Sequence, residues 1–376
     1  MKRHGGLWPE LISFPNLYLA YRKARRGKRR SRAATHFEHH LERELSELRL
    51  DLITQTYRPG PYRTFTIHDG KPRLISAAPF RDRVVHHALC NIVEPIFERV
   101  FVSDSYACRP GKGTHAAVDR YQQFARRYRY VLKCDVRRFF PSIDHAILKD
   151  LVARKIKDAD VLRLVEWIID GSNEQIPVDG FFPGDDLLTA ADRRRGLPIG
   201  NQTSQFFGNA MLNPLDHFVQ NELRCPAYVR YCDDFLLLSN DKAQLADWRT
   251  RIERFLHSLR LRLHPTKRQI SRTADGLPFL GYRVWPQHRR LTVNGVRRFR
   301  RNLKRYQAWF RAGRIDSKNL TQRLRAWLGH AQHADTAGLR RWLFATTIFT
   351  GPRAKEPCPA GRVVEQRTTQ HPLGQP

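Results

Sequence analysis

Apolar positions recur along this chain at two different spacings, and each predicts its own elements. Phe37, Leu41, Leu45, Leu48 and Leu50 fall near helical spacing, which predicts a helix over residues 35–56. From Arg81 a longer stripe runs through Val84, Val85, Ala88, Leu89, Ile92, Val93, Ile96 and Phe97. Helical spacing returns over residues 143–152, 204–218 and 245–259, and again past Arg297, where Trp309, Trp327 and Trp342 recur. Strand signals stand between these helices. TFTIHDGKPRLIS, residues 64–76, alternates around Asp69-Gly70 and predicts a two-residue hairpin. Lys71 and Arg73 lie two apart, so they share one face of its returning strand. YVLKCDV (Tyr130–Val136) reads as a buried strand, AYVRYCDDFLLL (residues 227–238) as two strand halves around an acidic centre, and LPFLGYRV (residues 277–284) as another strand. Gly and Pro punctuation makes residues 171–196 an inserted polar loop, and the stretch from about Gly351 a loose tail. Helices and strands mixed in this way, without an internal repeat, place the chain in the α/β (α+β) class.

Charge narrows the choice of partner. Of 376 residues, 41% are hydrophobic and 27% charged, enough to bury a core rather than stay disordered. The excess of 67 Lys and Arg over 36 Asp and Glu leaves +31, spread along the chain, which implies a polyanion bound over a large surface. Residues 21–32 hold eight basic residues and no acid, either a solvated arm or one that contacts phosphates. Residues 297–305 are again dense in Lys and Arg. No stretch approaches the ~18 uninterrupted apolar residues of a membrane helix. The opening MKRHGGLWPELISF lacks the apolar core of a secretory signal, so a cytoplasmic chain is expected. The 6 cysteines form no CxxC pair, and buried free thiols are expected rather than zinc or disulfides. The 16 histidines show no HxH or HExxH arrangement.

In so basic a chain, a carboxylate at the end of an apolar strand needs a reason. Asp135 in VLKCDVRRFF and Asp233-Asp234 in YCDDFLLL are such positions. Consecutive side chains on a regular strand face opposite ways, so a hairpin tip is where two adjacent acids approach one site. Converging carboxylates repel unless a divalent cation neutralises them, and Mg²⁺ takes carboxylates together with substrate phosphates. A second doublet, Asp185-Asp186, sits in a loop-like context and reads as structural. Lys71 and Arg73 would reach a triphosphate from their hairpin, and the small, hydroxylated GNQTS stretch would let a template or nucleotide approach closely.

At these residues the chain resembles the reverse transcriptases, over roughly residues 15–350. VLKCDVRRFFPSID resembles their first catalytic motif, which implies metal ligation by Asp135 and by the carbonyl of Val136. YCDD resembles their YxDD hairpin, so Asp233 and Asp234 would complete the triad. GLPIGNQTSQ, residues 196–205, stands where the family positions template and nucleotide, making Ile199, Gly200 and Gln205 candidates. HPTK resembles the next motif, with Lys267 either the acid that protonates pyrophosphate or a surface lysine. LPFLGYRVW resembles the primer-grip hairpin. Phe140 lies five residues past Asp135, where the family places its aromatic gate against the ribose 2′-hydroxyl; Phe139 beside it reads as core. Arg81 and Arg83 either contact nucleic acid or cap a helix. Arg297, Arg298, Arg300 and Arg301 would face it from a basic helix. The resemblance implies a right-hand polymerase with fingers, palm and helical thumb, two Mg²⁺ ions (Mn²⁺ as a substitute), dNTPs, template RNA and an RNA/cDNA duplex.

Within that family the chain looks most like the reverse transcriptases of bacterial and phage diversity-generating retroelements. Most reverse transcriptases carry Gln before the glycine of the second motif and Pro after its serine; here these are Ile199 and Gln205, the IGxxxSQ form. That implies error-prone copying of a template-repeat RNA, mainly at adenines, and a basic oligomeric accessory protein. A retron or abortive-infection enzyme, or an inactive RNA-binding polymerase fold, are the competing readings. The expected organisation is a basic arm at residues 1–32, fingers and palm at 33–285, a thumb at 286–350 and a tail at 351–376.

Overall fold

The computed structural model of the chain describes residues 2–29, 31–69, 71–172, 181–186, 188–189 and 193–351. The chain divides after His288 into two compact units. The first begins with four helices: α1 (Trp8–Leu11), α2 (Phe14–Arg25), α3 (Arg32–His39) and α4 (Leu41–Ile53). The expected basic arm is a packed helix over part of its length. Ser13 accepts a hydrogen bond from the Asn16 N–H to start α2, and Leu17, Ala20, Tyr21 and Ala24 bury one helical face. The single helix expected over residues 35–56 is two, because His40 leaves helical geometry at φ −113° and ψ 32°. Next come β1 (Arg63–Asp69) and β2 (Lys71–Ala77), paired antiparallel from Arg63↔Ala77 to Asp69↔Lys71. Gly70, the expected turn residue, and the Lys71 side chain lie outside what is described.

The chain continues through α5 (Phe80–Glu98), α6 (Thr114–Ala125), β3 (Tyr130–Val136), α7 (Phe139–Ser142), α8 (His145–Ala153) and α9 (Ala159–Asp170). Of the expected inserted loop, residues 173–180, 187 and 190–192 lie outside the described residues. Then follow α10 (Gln202–His217), β4 (Tyr228–Tyr231), β5 (Asp234–Ser239), α11 (Lys242–Ser258), β6 (Leu263–Arg272), β7 (Leu277–Phe279) and β8 (Tyr282–Val284). The strand expected over residues 277–284 is a β7–β8 hairpin, turning at Leu280 and Gly281, both at positive φ.

An antiparallel sheet of order β4–β5–β3–β6 positions everything that follows. Val131, Leu132, Cys134 and Val136 of β3 are buried, as are Phe235, Leu236, Leu237 and Leu238 of β5. This central pair is apolar because helices such as α11 cover it. Helix α5 packs against α2 and α10, and its Val84, Val85, Ala88, Leu89 and Val93 have no exposed surface. Five cysteines are free, among them buried Cys90, Cys134 and Cys225; Cys358 lies outside the described residues. Among the described residues no helix is long and apolar enough to cross a membrane.

The second unit holds β9 (Arg289–Leu291), α12 (Val293–Arg311), α13 (Ser317–Ala331) and α14 (Ala337–Ala345). Its small core is Phe299, Leu303 and Leu343, with the Trp327 ring stacked on Phe299 at 3.7 Å between centroids. Residues 352–376, the rest of the expected tail, lie outside the described residues.

Candidate active site

Sheet register brings the acidic positions together. Asp135 on β3 and Asp234 on β5 are directly paired, so their side chains leave the sheet on one face. The Val136 N–H donates to the Asp233 carbonyl at 3.1 Å, which ties the third acid to the same strand end. Tyr231 pairs with Asp234, so Cys232 and Asp233 make a two-residue turn, and Cys232 takes the left-handed φ of 57° that such a reversal needs.

The electrostatics follow from this crowding. Burial pushes the Asp233 carboxyl above its ordinary range, and the neighbouring Asp135 charge adds to the rise. Asp234 is pushed up to about 6, chiefly by burial; Lys133 pulls it down while Asp135 and Asp233 raise it. Two ammonium groups offset the negative charge. Lys267 Nζ donates to Asp135 Oδ2 at 2.7 Å, and Lys133 Nζ lies 3.2 Å from Asp234 Oδ2. Asp234 Oδ1 is buried and accepts no hydrogen bond. Among the described residues no three His, Cys, Asp or Glu side chains form a ready-made ligand cluster. The fit to a divalent cation is therefore one of chemistry: hard oxygen donors that repel each other, one of them orphaned, with lysines standing where positive charge is wanted.

Beneath the turn lies a network that the sequence reading missed. Arg230, fully buried on β4, donates to both carboxylate oxygens of Asp216 on α10, and Tyr228 donates to Asp216 Oδ1 at 2.7 Å. Its Nη1 reaches Asn209 Oδ1 at 3.1 Å and the Cys232 carbonyl at 3.2 Å. The acidic tip is thus held from below by an arginine. The available signal was an arginine inside an apolar strand and an aspartate on an apolar helical stripe, since buried opposite charges must pair.

Of the nucleotide-side candidates, Ile199 and Gly200 lie against β2, and Phe140 is on α7. Phe139 is core at 2% exposure, whereas Phe140 is only half-buried. The Phe140 carbonyl accepts from the Leu197 N–H at 2.9 Å, joining it to the GLPIGNQTSQ loop. That loop is strapped to β2. The Ser76 N–H donates to the Ile199 carbonyl at 3.1 Å, and the Asn201 amide bonds both the Ser76 carbonyl and the Ala78 N–H. Gly200 has φ +117°, and a Cβ there would stand 3.0 Å from Ile75, so backbone and space both call for glycine. Gln205 is exposed on the first turn of α10, and Arg73 is exposed on β2.

Other expected residues have partners within the protein. Arg81 pairs with Asp51, and Arg83 donates to the Ala78 carbonyl at 2.9 Å. Asp185 pairs with Arg193, and Asp186 accepts from the Thr189 N–H, so the second acidic doublet organises its own loop. Arg297, Arg298, Arg300 and Arg301 are exposed on α12, and the Arg300 guanidinium lies 5.0 Å from the Trp342 ring centroid.

Known proteins are similar to this chain in sequence. The profile of the family Reverse transcriptase (RNA-dependent DNA polymerase) matches residues 66–284. Protein YkfC of Escherichia coli (strain K12) is 29% identical over 281 residues, covering 64% of this chain and 71% of YkfC. Group II intron-encoded protein LtrA of Lactococcus lactis subsp. cremoris is 23% identical over 310 residues, covering 65% of this chain and 50% of LtrA. This chain therefore spans about half the length of LtrA. A solved apo telomerase from Candida Tropicalis aligns over 65% of this chain and 59% of its own, at a TM-score of 0.46 and 14% identity, a likeness too slight to bear on the fold. The matched residues 66–284 take in all four strands of the central sheet together with Asp135, Asp233 and Asp234, and the chain belongs to the reverse transcriptase family of RNA-dependent DNA polymerases.

Proposed function

We propose that this chain copies a template-repeat RNA into error-prone cDNA that diversifies a target gene. The observation that carries this reading is the pair Ile199 and Gln205 in GLPIGNQTSQ, on a loop strapped to β2 beside Phe140. Asp135, Asp233 and Asp234, with the Val136 carbonyl, would hold two Mg²⁺ ions, or Mn²⁺ in their place. When bound, the ions activate the attacking 3′-hydroxyl and stabilise the leaving oxygen. Lys267, paired with Asp135 in this structure, would pass a proton from Nζ to the departing pyrophosphate. Phe140 closes the space beside C2′ of a dNTP, and Lys71 and Arg73 hold its triphosphate. Residues 33–285 act as fingers and palm, and 286–350 as a thumb whose Arg297, Arg298, Arg300 and Arg301 grip the RNA/cDNA duplex by its phosphates. A basic oligomeric accessory protein is the expected partner.

A second reading, reverse transcription in the service of an intron or retron, is favoured by the similarity to a protein named as group II intron-encoded. One experiment separates them. Purified protein, with and without its genomic-neighbour protein, is given RNA, dNTPs and Mg²⁺, and the cDNA is sequenced. Substitutions concentrated at template adenines support diversification; faithful cDNA supports the intron or retron reading. No cDNA under either condition overturns both.

A further inference from the structure

A cleft that none of the three catalytic carboxylates lines is ringed by Arg137, Arg193, Arg195, Arg260 and Arg262. The room inside it that a water-sized sphere can occupy is about 20 Å³, so a larger group would be met at its mouth. Two of these five guanidinium groups, those of Arg193 and Arg260, share the carboxylates of Asp144 and Asp185. Arg260 donates to Asp144 at 2.7 Å and lies 3.9 Å from Asp185; Arg193 pairs with Asp185 and stands 3.5 Å from Asp144. Arg262 donates to the Phe181 carbonyl at 2.6 Å, and its guanidinium lies 5.0 Å from the Phe182 ring centroid.

Arg193 is the telling residue. Its side chain is only 4% exposed, yet Nη1 has no hydrogen-bond acceptor and Nε reaches only the Asp144 carboxylate, at 3.5 Å. Buried donors on a permanent cation are costly to leave unmatched. Planar guanidinium forks match the oxygen geometry of phosphate better than that of any neutral ligand. Part of the wall is tied by the backbone: the Arg137 N–H donates to the Arg262 carbonyl at 2.8 Å, and Asp144 caps α8 through the Ile147 N–H at 3.0 Å.

We infer that this cleft binds a phosphate group, as a site additional to the one where nucleotides react. The group belongs either to the backbone of a bound nucleic acid or to a free anion such as pyrophosphate, and the two are separable by binding alone. The inference does not depend on error-prone copying, since no dNTP enters the test.

The test uses the full chain and two double variants. Arg195→Gln/Arg262→Gln alters the rim of the cleft while leaving the buried Arg193 in place. Arg127→Gln/Arg254→Gln removes two exposed charges elsewhere and serves as the control. Circular dichroism melts first establish that both variants fold. Pyrophosphate is titrated by calorimetry; single-stranded RNA and an RNA/DNA duplex are titrated by fluorescence anisotropy over a range of NaCl. The cleft variant should bind pyrophosphate about tenfold more weakly, or bind nucleic acid with a log–log salt slope shallower by about one to two. The control should match the unaltered protein. An effect on pyrophosphate alone identifies a free anion, an effect on RNA or duplex alone identifies the backbone, and either supports the site. Equal behaviour of all three proteins in every arm, or equal losses in both variants, overturns it.

Discussion

Arg230 donates from Nε and Nη2 to the two carboxylate oxygens of Asp216, each at 2.6 Å, and neither side chain has any exposed surface. The pair matters because Arg230 also holds the Cys232 carbonyl, inside the turn that presents Asp233 and Asp234. Removing one partner leaves a buried charge uncompensated. Asp216→Asn should therefore destabilise the first unit by about 3–5 kcal/mol, read as a lower urea midpoint. Arg230→Lys keeps the charge but loses the fork, so polymerisation should fall in protein that is still folded. Unchanged stability and unchanged activity in the two variants would refute the role given to this pair.

Asp234 makes a prediction in which the sign is specific. Burial raises its carboxyl from 3.8 to about 6. A carboxyl whose folded value is raised favours folding while protonated; that contribution is complete below the unfolded value and is lost as pH rises through about 6. In metal-free protein, Asp234→Asn should melt at about the same temperature as the unaltered chain near pH 4, and about 2–4 °C or more above it near pH 8. Added Mg²⁺ should stabilise the unaltered chain and not the variant. Parallel melting curves across the whole pH range would exclude the strained carboxylate.

How much of this was legible in sequence depended on burial. Tyr130–Val136 is a strand with the expected bounds because Leu132, Cys134 and Val136 alternate along one buried face, while Lys133 and Asp135 stand on the other. The acidic tip was legible because Asp233-Asp234 interrupts an apolar hairpin. Leu263–Arg272 was not legible as a strand: HPTKRQISR is polar and partly exposed, and only its ladder with β3 reveals it. Helix α2 was hidden under its own basic residues, although Leu17, Ala20, Tyr21 and Ala24 carry the helical spacing. The Arg230–Asp216 pair links residues that only the fold brings together. A local pattern cannot report a partner on another element.

Phe140, half-buried beside Gly208 and tied to Leu197, is the residue expected to exclude a 2′-hydroxyl. Phe140→Ala should raise incorporation of rNTPs relative to dNTPs by about tenfold or more, measured in primer extension with competing nucleotides. Phe139 is core at 2% exposure, so an unchanged ratio would place the gate outside this aromatic pair.

Ile199 offers shape but no hydrogen bond from its side chain, and its carbonyl is already used by Ser76. A glutamine here would add one geometry-dependent contact worth about 0.5–1.5 kcal/mol. At about 1.4 kcal/mol per tenfold, Ile199→Gln should lower the error rate by up to about tenfold. Sequencing cDNA from both enzymes on one adenine-containing template checks this, and identical error spectra would leave Ile199 without a part in fidelity.

The central claim is that Asp135, Asp233 and Asp234 form the centre at which DNA is polymerised on RNA. Asp233→Asn tests it most directly, since it keeps the shape of the turn and removes one charge. Primer extension on RNA with dNTPs and Mg²⁺ should fall by about two to three orders of magnitude, while the circular dichroism spectrum and the binding of RNA stay as they were. Near-normal cDNA synthesis by that variant would contradict the assignment.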